Sequence, residues 1–133
     1  MKNLLFILLV LQSFNIYSQE YDVNITYDIN VTVESRANYK LNGADVNGDI
    51  AGLDPEITID LGSTINFNVD APGHPFLIKS SAGIGRKDMV KNAKNNGATK
   101  GLISWTPLSP GTYYYQCSKH KKMVGVITVN YAR

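Results

Sequence analysis

The chain reads as an all-β protein, an antiparallel Greek-key sandwich of seven or eight short strands. Three observations carry that prediction. Short runs of residues alternate apolar and polar with period two, and Gly, Pro and Asn pairs punctuate those runs. Once an N-terminal leader is set aside, 115 residues remain, enough for one domain with its own core and too few for two ordinary ones.

The leader is Met1-Lys2-Asn3 followed by apolar Leu4 to Leu11 and small Ser18, the pattern of a secretory signal peptide over residues 1–18, cleaved between Ser18 and Gln19. Its apolar run is too short to span a bilayer. Since no Cys lies near the cleavage point, a bacterial lipid anchor is not expected. Residues 19–133 should therefore be one soluble, monomeric, exported domain with no membrane span, periplasmic or secreted; a thylakoid lumen is not supported.

Taking the strands in order, Asp22 to Val33 alternates without a break, with Val23, Ile25, Tyr27, Ile29, Val31 and Val33 on one parity, so it is a half-buried strand. Asn42-Gly43 and Asn47-Gly48 mark turns, and the aperiodic Ala44 to Pro55 reads as a surface connection. Ile57 to Leu61 and Thr64 to Val69 are strands broken by Gly62-Ser63. Pro72-Gly73 bends the chain before His74, and Pro75 to Lys79 begins another strand.

Between Ser80 and Lys100 the composition turns to Gly, Ser, Asn and Lys, a long surface insertion. Within it Asp88 to Lys94 could form one or two helical turns that turn Met89, Val90 and Ala93 inward, Met89 packing in the core rather than binding metal. Leu102 to Thr106, Thr112 to Cys117 and Met123 to Tyr131 complete the strands. If Cys117 points inward then Tyr113 and Tyr115 do too, while Tyr114 and Gln116 face away; Met123, Gly125, Ile127 and Val129 share one parity. Tyr113, four residues before the Cys, fits a tyrosine corner, and Trp105 reads as core.

The chemistry concentrates in Gly111 to Val129, where Cys117, His120 and Met123 sit at intervals of three on one short loop between two strands. A thiolate, imidazoles and a thioether are the ligand types of a mononuclear blue-copper centre, with two His and one Cys in a plane and a weak axial Met. The chain holds one other histidine, His74, so the set is exactly sufficient for one copper, cycling between Cu(II) and Cu(I). An exported chain with a single Cys cannot form an internal disulfide, and metal ligation accounts for that thiol.

An isolated His followed much later by G-x-Y-x-Y-x-C-x-x-H-x-x-M-x-G resembles the cupredoxins, the small blue-copper proteins such as plastocyanin and amicyanin, over roughly residues 29 to 130. The short His-to-Met spacing is similar to amicyanin's loop, while His74-Pro75-Phe76, Asn95-Asn96-Gly97 and Trp105-Thr106-Pro107 resemble plastocyanin-like domains. The resemblance implies a one-electron carrier with His74, Cys117, His120 and Met123 as copper ligands, and His120 nearest solvent. It also implies a backbone N–H to the Cys sulfur from the residue after the first His, which Pro75 cannot donate.

Charge is unevenly spread: residues 19 to 70 hold ten of the eleven acids, whereas residues 71 to 133 hold only Asp88 against ten Lys and Arg. Lys119, Lys121 and Lys122 surround His120 and could steer an acidic redox protein partner, or be only a solvated surface. Nucleic acid is not an expected partner, because the basic residues are not interleaved with exposed aromatics. The alternative function is copper holding or delivery without electron transfer. No catalytic residues are expected: copper oxidases need further His clusters, a binuclear centre needs a second Cys, and a Cys117–His120 nucleophile pair would need an oriented base and oxyanion donors.

Overall fold

In a computed structural model, which describes residues 25–132, two sheets pack into a sandwich. The expected leader over residues 1–18 lies outside the described residues. Among the described residues there are nine strands: β1 (Thr26–Val33), β2 (Tyr39–Asp45), β3 (Gly48–Leu53), β4 (Ile57–Asp60), β5 (Thr64–Asp70), β6 (Phe76–Lys79), β7 (Lys100–Trp105), β8 (Gly111–Cys117) and β9 (Val124–Asn130). One sheet has the order β3-β2-β1-β5-β7 and the other β4-β9-β8-β6.

The all-β sandwich is as expected, but the sheets are mixed, since β1 runs parallel to β5 and β4 runs parallel to β9. Both parallel pairings follow from the break at Leu61 to Ser63, where the chain leaves one sheet and enters the other beside a strand of the same direction. Parallel neighbours need such a crossover and cannot be joined by a tight hairpin. The described residues hold more strands than expected because Tyr39 to Leu53 forms a β-hairpin, whereas Ala44 to Pro55 was expected to be a surface connection. Gly43, expected in a turn, lies within β2 opposite Ile29 of β1.

Alternation on each strand places one set of side chains between the sheets. Ile29 and Val31 of β1, Ile65 and Phe67 of β5, and Ile103 and Trp105 of β7 face Ile57 and Ile59 of β4, Ile127 and Val129 of β9, and Tyr115 and Cys117 of β8 in one core. Phe76 stacks on Tyr115 at 5.3 Å between ring centroids and meets Tyr39 edge-on at 5.0 Å. Tyr113 forms the expected corner, its hydroxyl donating to the Ser109 carbonyl at 2.8 Å while Trp105 packs edge-on against its ring.

The expected helical turns at Asp88 to Lys94 are absent: the segment bridges instead, Met89 to Lys79 and Lys94 to Ser104. Asp88 and Asn95 both have left-handed backbone angles, which end a helix rather than propagate one. Val90 and Ala93 still pack against the core, so the inward reading of those two holds without the helix. Among the described residues no helix is long and apolar enough to cross a membrane.

Candidate metal centre

One register decides where the site forms. Phe76 of β6 pairs directly with Cys117 of β8, so the residues just before Phe76 stand beside the residues just after Cys117. His74 is one of the former and His120 one of the latter.

The His74 arm is shaped locally. Ala71-Pro72-Gly73-His74 is a four-residue turn in which the His74 N–H donates to the Ala71 carbonyl at 2.9 Å and Gly73 has φ of 77°. Pro at the second position and a positive-φ Gly at the third are the requirements of a type II turn. The Tyr39 hydroxyl, fully buried, lies within hydrogen-bond reach of the carbonyls of His74 (3.1 Å) and Pro75 (3.0 Å). Beyond the turn, Phe76 N–H donates to the Ala98 carbonyl at 3.1 Å and Gly97 N–H to the Phe76 carbonyl at 2.9 Å.

The Cys117–Met123 loop closes on itself. Cys117 N–H donates to the Met123 carbonyl at 2.9 Å, and Met123 N–H to the His120 carbonyl at 3.2 Å. As a result His120 is carried back over Cys117. The Cys117 sulfur lies 3.5 Å from His120 Nδ1 and 3.9 Å from His74 Nδ1, the two rings are 4.8 Å apart, and one ligand atom from each of the three residues falls within 4.8 Å of the others.

Those separations suit a shared ion. Bonds of about 2.3 Å to sulfur and about 2.0 Å to imidazole nitrogen, opened to roughly 110–120°, set the two donors about 3.5–3.7 Å apart. Cys117 and Met123 are fully buried, while the two histidines are partly exposed. The His74 imidazole is held below the ordinary histidine range, first by burial and then by His120, Lys119 and Arg36. A neutral ring is the metal-binding form, so these neighbours lower proton competition at that nitrogen.

Rusticyanins are among its structural neighbours. Reduced rusticyanin aligns over 80% of this chain and 79% of its own at 19% identity, with a TM-score of 0.46. Rusticyanin from Thiobacillus ferrooxidans aligns over 80% of this chain and 77% of its own at 19% identity and a TM-score of 0.47. The NMR structure of reduced rusticyanin gives 78%, 76%, 20% and 0.48 for the same quantities. No family model and no curated protein matches the chain. The sandwich and its site therefore stand on the strand order and distances above.

Of the four sequence-predicted ligands, His74, Cys117 and His120 meet at one point. Met123 is brought to the same loop through its backbone and is buried at the base of β9. Two residues of the surroundings were not visible in the sequence. Tyr39 arrives from β2, 35 positions before His74 in the chain. Burial, and secondly the adjacent Cys117, push its hydroxyl pKa up, so it stays protonated and can donate. Gln116 is wholly buried although its parity pointed away from the core. No local pattern signals either one, because each acquires its role from a distant segment.

Proposed function

We propose that this chain is a small, exported blue-copper protein that carries one electron at a time. The convergence of Cys117, His74 and His120 within 4.8 Å carries the reading. Cys117 would bind as the thiolate, His74 and His120 through Nδ1, and Met123 as the weak thioether ligand, the donor set that suits copper. Bound copper would supply exchange between its two oxidation states. The protein's contribution is to hold the donors nearly still: two β-strands anchor the ends of the loop, the type II turn and Tyr39 fix the His74 arm, and the buried sulfur is kept from water.

Retention is favoured over copper delivery by the burial of Cys117 and Met123, which leaves no open thiol for handing metal to another protein. Copper-loaded protein should show an intense visible absorption that Cys117→Ser abolishes, together with fast, reversible voltammetry. A Cys117→Ser protein that stays equally blue would refute the ligand assignment. Slow, irreversible cycling with ready loss of copper to a chelator would favour delivery.

The partner in this reading is an acidic redox protein that docks near Lys119, Lys121 and Lys122, all exposed beside His120. Export follows from the leader, with residues 19–133 as the mature domain. The intact mass of protein recovered outside the cytoplasm should start at Gln19, and a mass that retains residues 1–18 would reject the cleavage.

A further inference from the structure

Gln116 precedes Cys117 on β8, on the side of its sheet turned away from the core, yet its side chain is 0% exposed because the segment after β6 folds over it. Its surroundings fix which end of the amide is which. Oε1 accepts from the Gly83 N–H at 3.1 Å. Nε2 faces four carbonyl oxygens, those of Cys117 (3.0 Å), His120 (3.0 Å), Met123 (3.2 Å) and, more weakly, Lys121 (3.5 Å). A swapped amide would set oxygen against oxygen four times over.

Three of those four carbonyls belong to residues whose side chains are ligand candidates. A short loop that turns its carbonyl oxygens inward crowds like dipoles, and a buried acceptor left without a donor is costly. The two N–H bonds of Gln116 sit at the centre of that crowd. The covering segment is tied down in turn: Lys79 is 2% exposed and its ammonium donates to the carbonyls of Gly83 (2.6 Å) and Gly85 (3.2 Å), while Gly85 N–H donates to the Ser118 carbonyl at 2.8 Å.

We propose that Gln116 is a positioning residue that holds the Cys117–Met123 loop in its ligating shape before any metal arrives, and that the Lys79–Gly85 segment locks Gln116 in that role. Naming the loop as ligating rests on the blue-copper reading above. Its preorganisation does not, and is measured on metal-free protein.

Hydrogen exchange on the metal-free wild type should show the Gly83, Gly85, Cys117 and Met123 amides protected by about 100-fold or more over free-peptide rates. Exchange at free-peptide rates would overturn the proposal without recourse to any variant. Gln116→Met keeps the length and burial of the side chain but has no amide. It should lose about tenfold of that protection, the worth of roughly one hydrogen bond, while β1 and β5 keep theirs. After loading with Cu(II), the same variant should release copper to a chelator about tenfold faster and show altered copper hyperfine splitting, a signature that loss of general stability would not move. Lys79→Met, which leaves the ligand loop untouched, should speed release about threefold, a fraction of one hydrogen bond. Unchanged exchange and unchanged release in folded Gln116→Met would sink the positioning role, and unchanged release in Lys79→Met would sink the lock. Protected amides in a wild type that takes up no copper would reject the metal reading and leave the preorganisation standing.

Discussion

Proline at position 75 removes the backbone donor that the resemblance to plastocyanin places against the Cys sulfur, and a thiolate with fewer hydrogen bonds stabilises the oxidised metal. Pro75→Asn should therefore raise the reduction potential. One hydrogen bond worth about 1–1.5 kcal/mol corresponds to about 45–65 mV for a one-electron couple. Voltammetry of the copper-loaded pair checks the ordering, and a variant of lower potential would contradict it. Position 125 is constrained differently: a Cβ there would fall on the ring and hydroxyl of Tyr115, which itself donates to the Pro55 carbonyl at 2.6 Å. Tyr115 cannot retreat without losing that bond and its stacking on Phe76. Gly125→Ala should cost about 1–3 kcal/mol, the usual range for overpacking, read as a lower denaturant midpoint with an unchanged slope.

At the scale of elements, β1, β4, β5 and β9 were legible because each alternates, and β6, β7 and β8 because turn residues bracket short strand-like runs; the three converging ligand candidates were legible because residue type and spacing pointed at metal in Cys117 and His120 and left His74 as the one other histidine. The β2–β3 hairpin was not, since Asn42-Gly43 looks like a turn. Gly43 is instead a strand residue pressed against β1, where a Cβ would meet the Asp28 carbonyl and the backbone of Ile29. Mixed pairing was equally hidden, because alternation reports which face is buried and says nothing of strand direction. The insertion after β6 shows what a polar, aperiodic segment can do: the Asn96 amide accepts from Ile78 N–H at 2.8 Å and donates to the Ile78 carbonyl at 3.0 Å and the Val90 carbonyl at 3.2 Å. It thus stands in for the missing neighbour of edge strand β6. Asn96→Ala leaves the Ile78 N–H without its partner, although the Ile78 carbonyl keeps the Val90 N–H at 3.0 Å, and should cost about 1–3 kcal/mol. A variant with wild-type thermal stability would show that water replaces the amide at no cost.

For the whole molecule, the uneven charge of the sequence becomes a local field. Lys119, Lys121 and Lys122 are exposed on the ligand loop, and Arg36, from the otherwise acidic half, lies close enough to His74 to help depress its pKa. Positive charge thus borders both imidazoles, the least buried part of the site. Whether that charge steers a partner or merely keeps the surface wet is decided by rate, because exposed charges act on encounter over a Debye length of about 30 Å at 0.01 M salt and about 3 Å at 1 M. With copper-loaded protein, an anionic metal complex should exchange electrons about tenfold more slowly at 1 M than at 0.01 M salt, whereas a cationic complex of matched potential should speed up. Replacing Lys119, Lys121 and Lys122 together with Glu should reverse the two trends, since it converts the rim without touching a ligand candidate. Stopped-flow rates indifferent to salt for both reagents would mean that the lysines only solvate the surface.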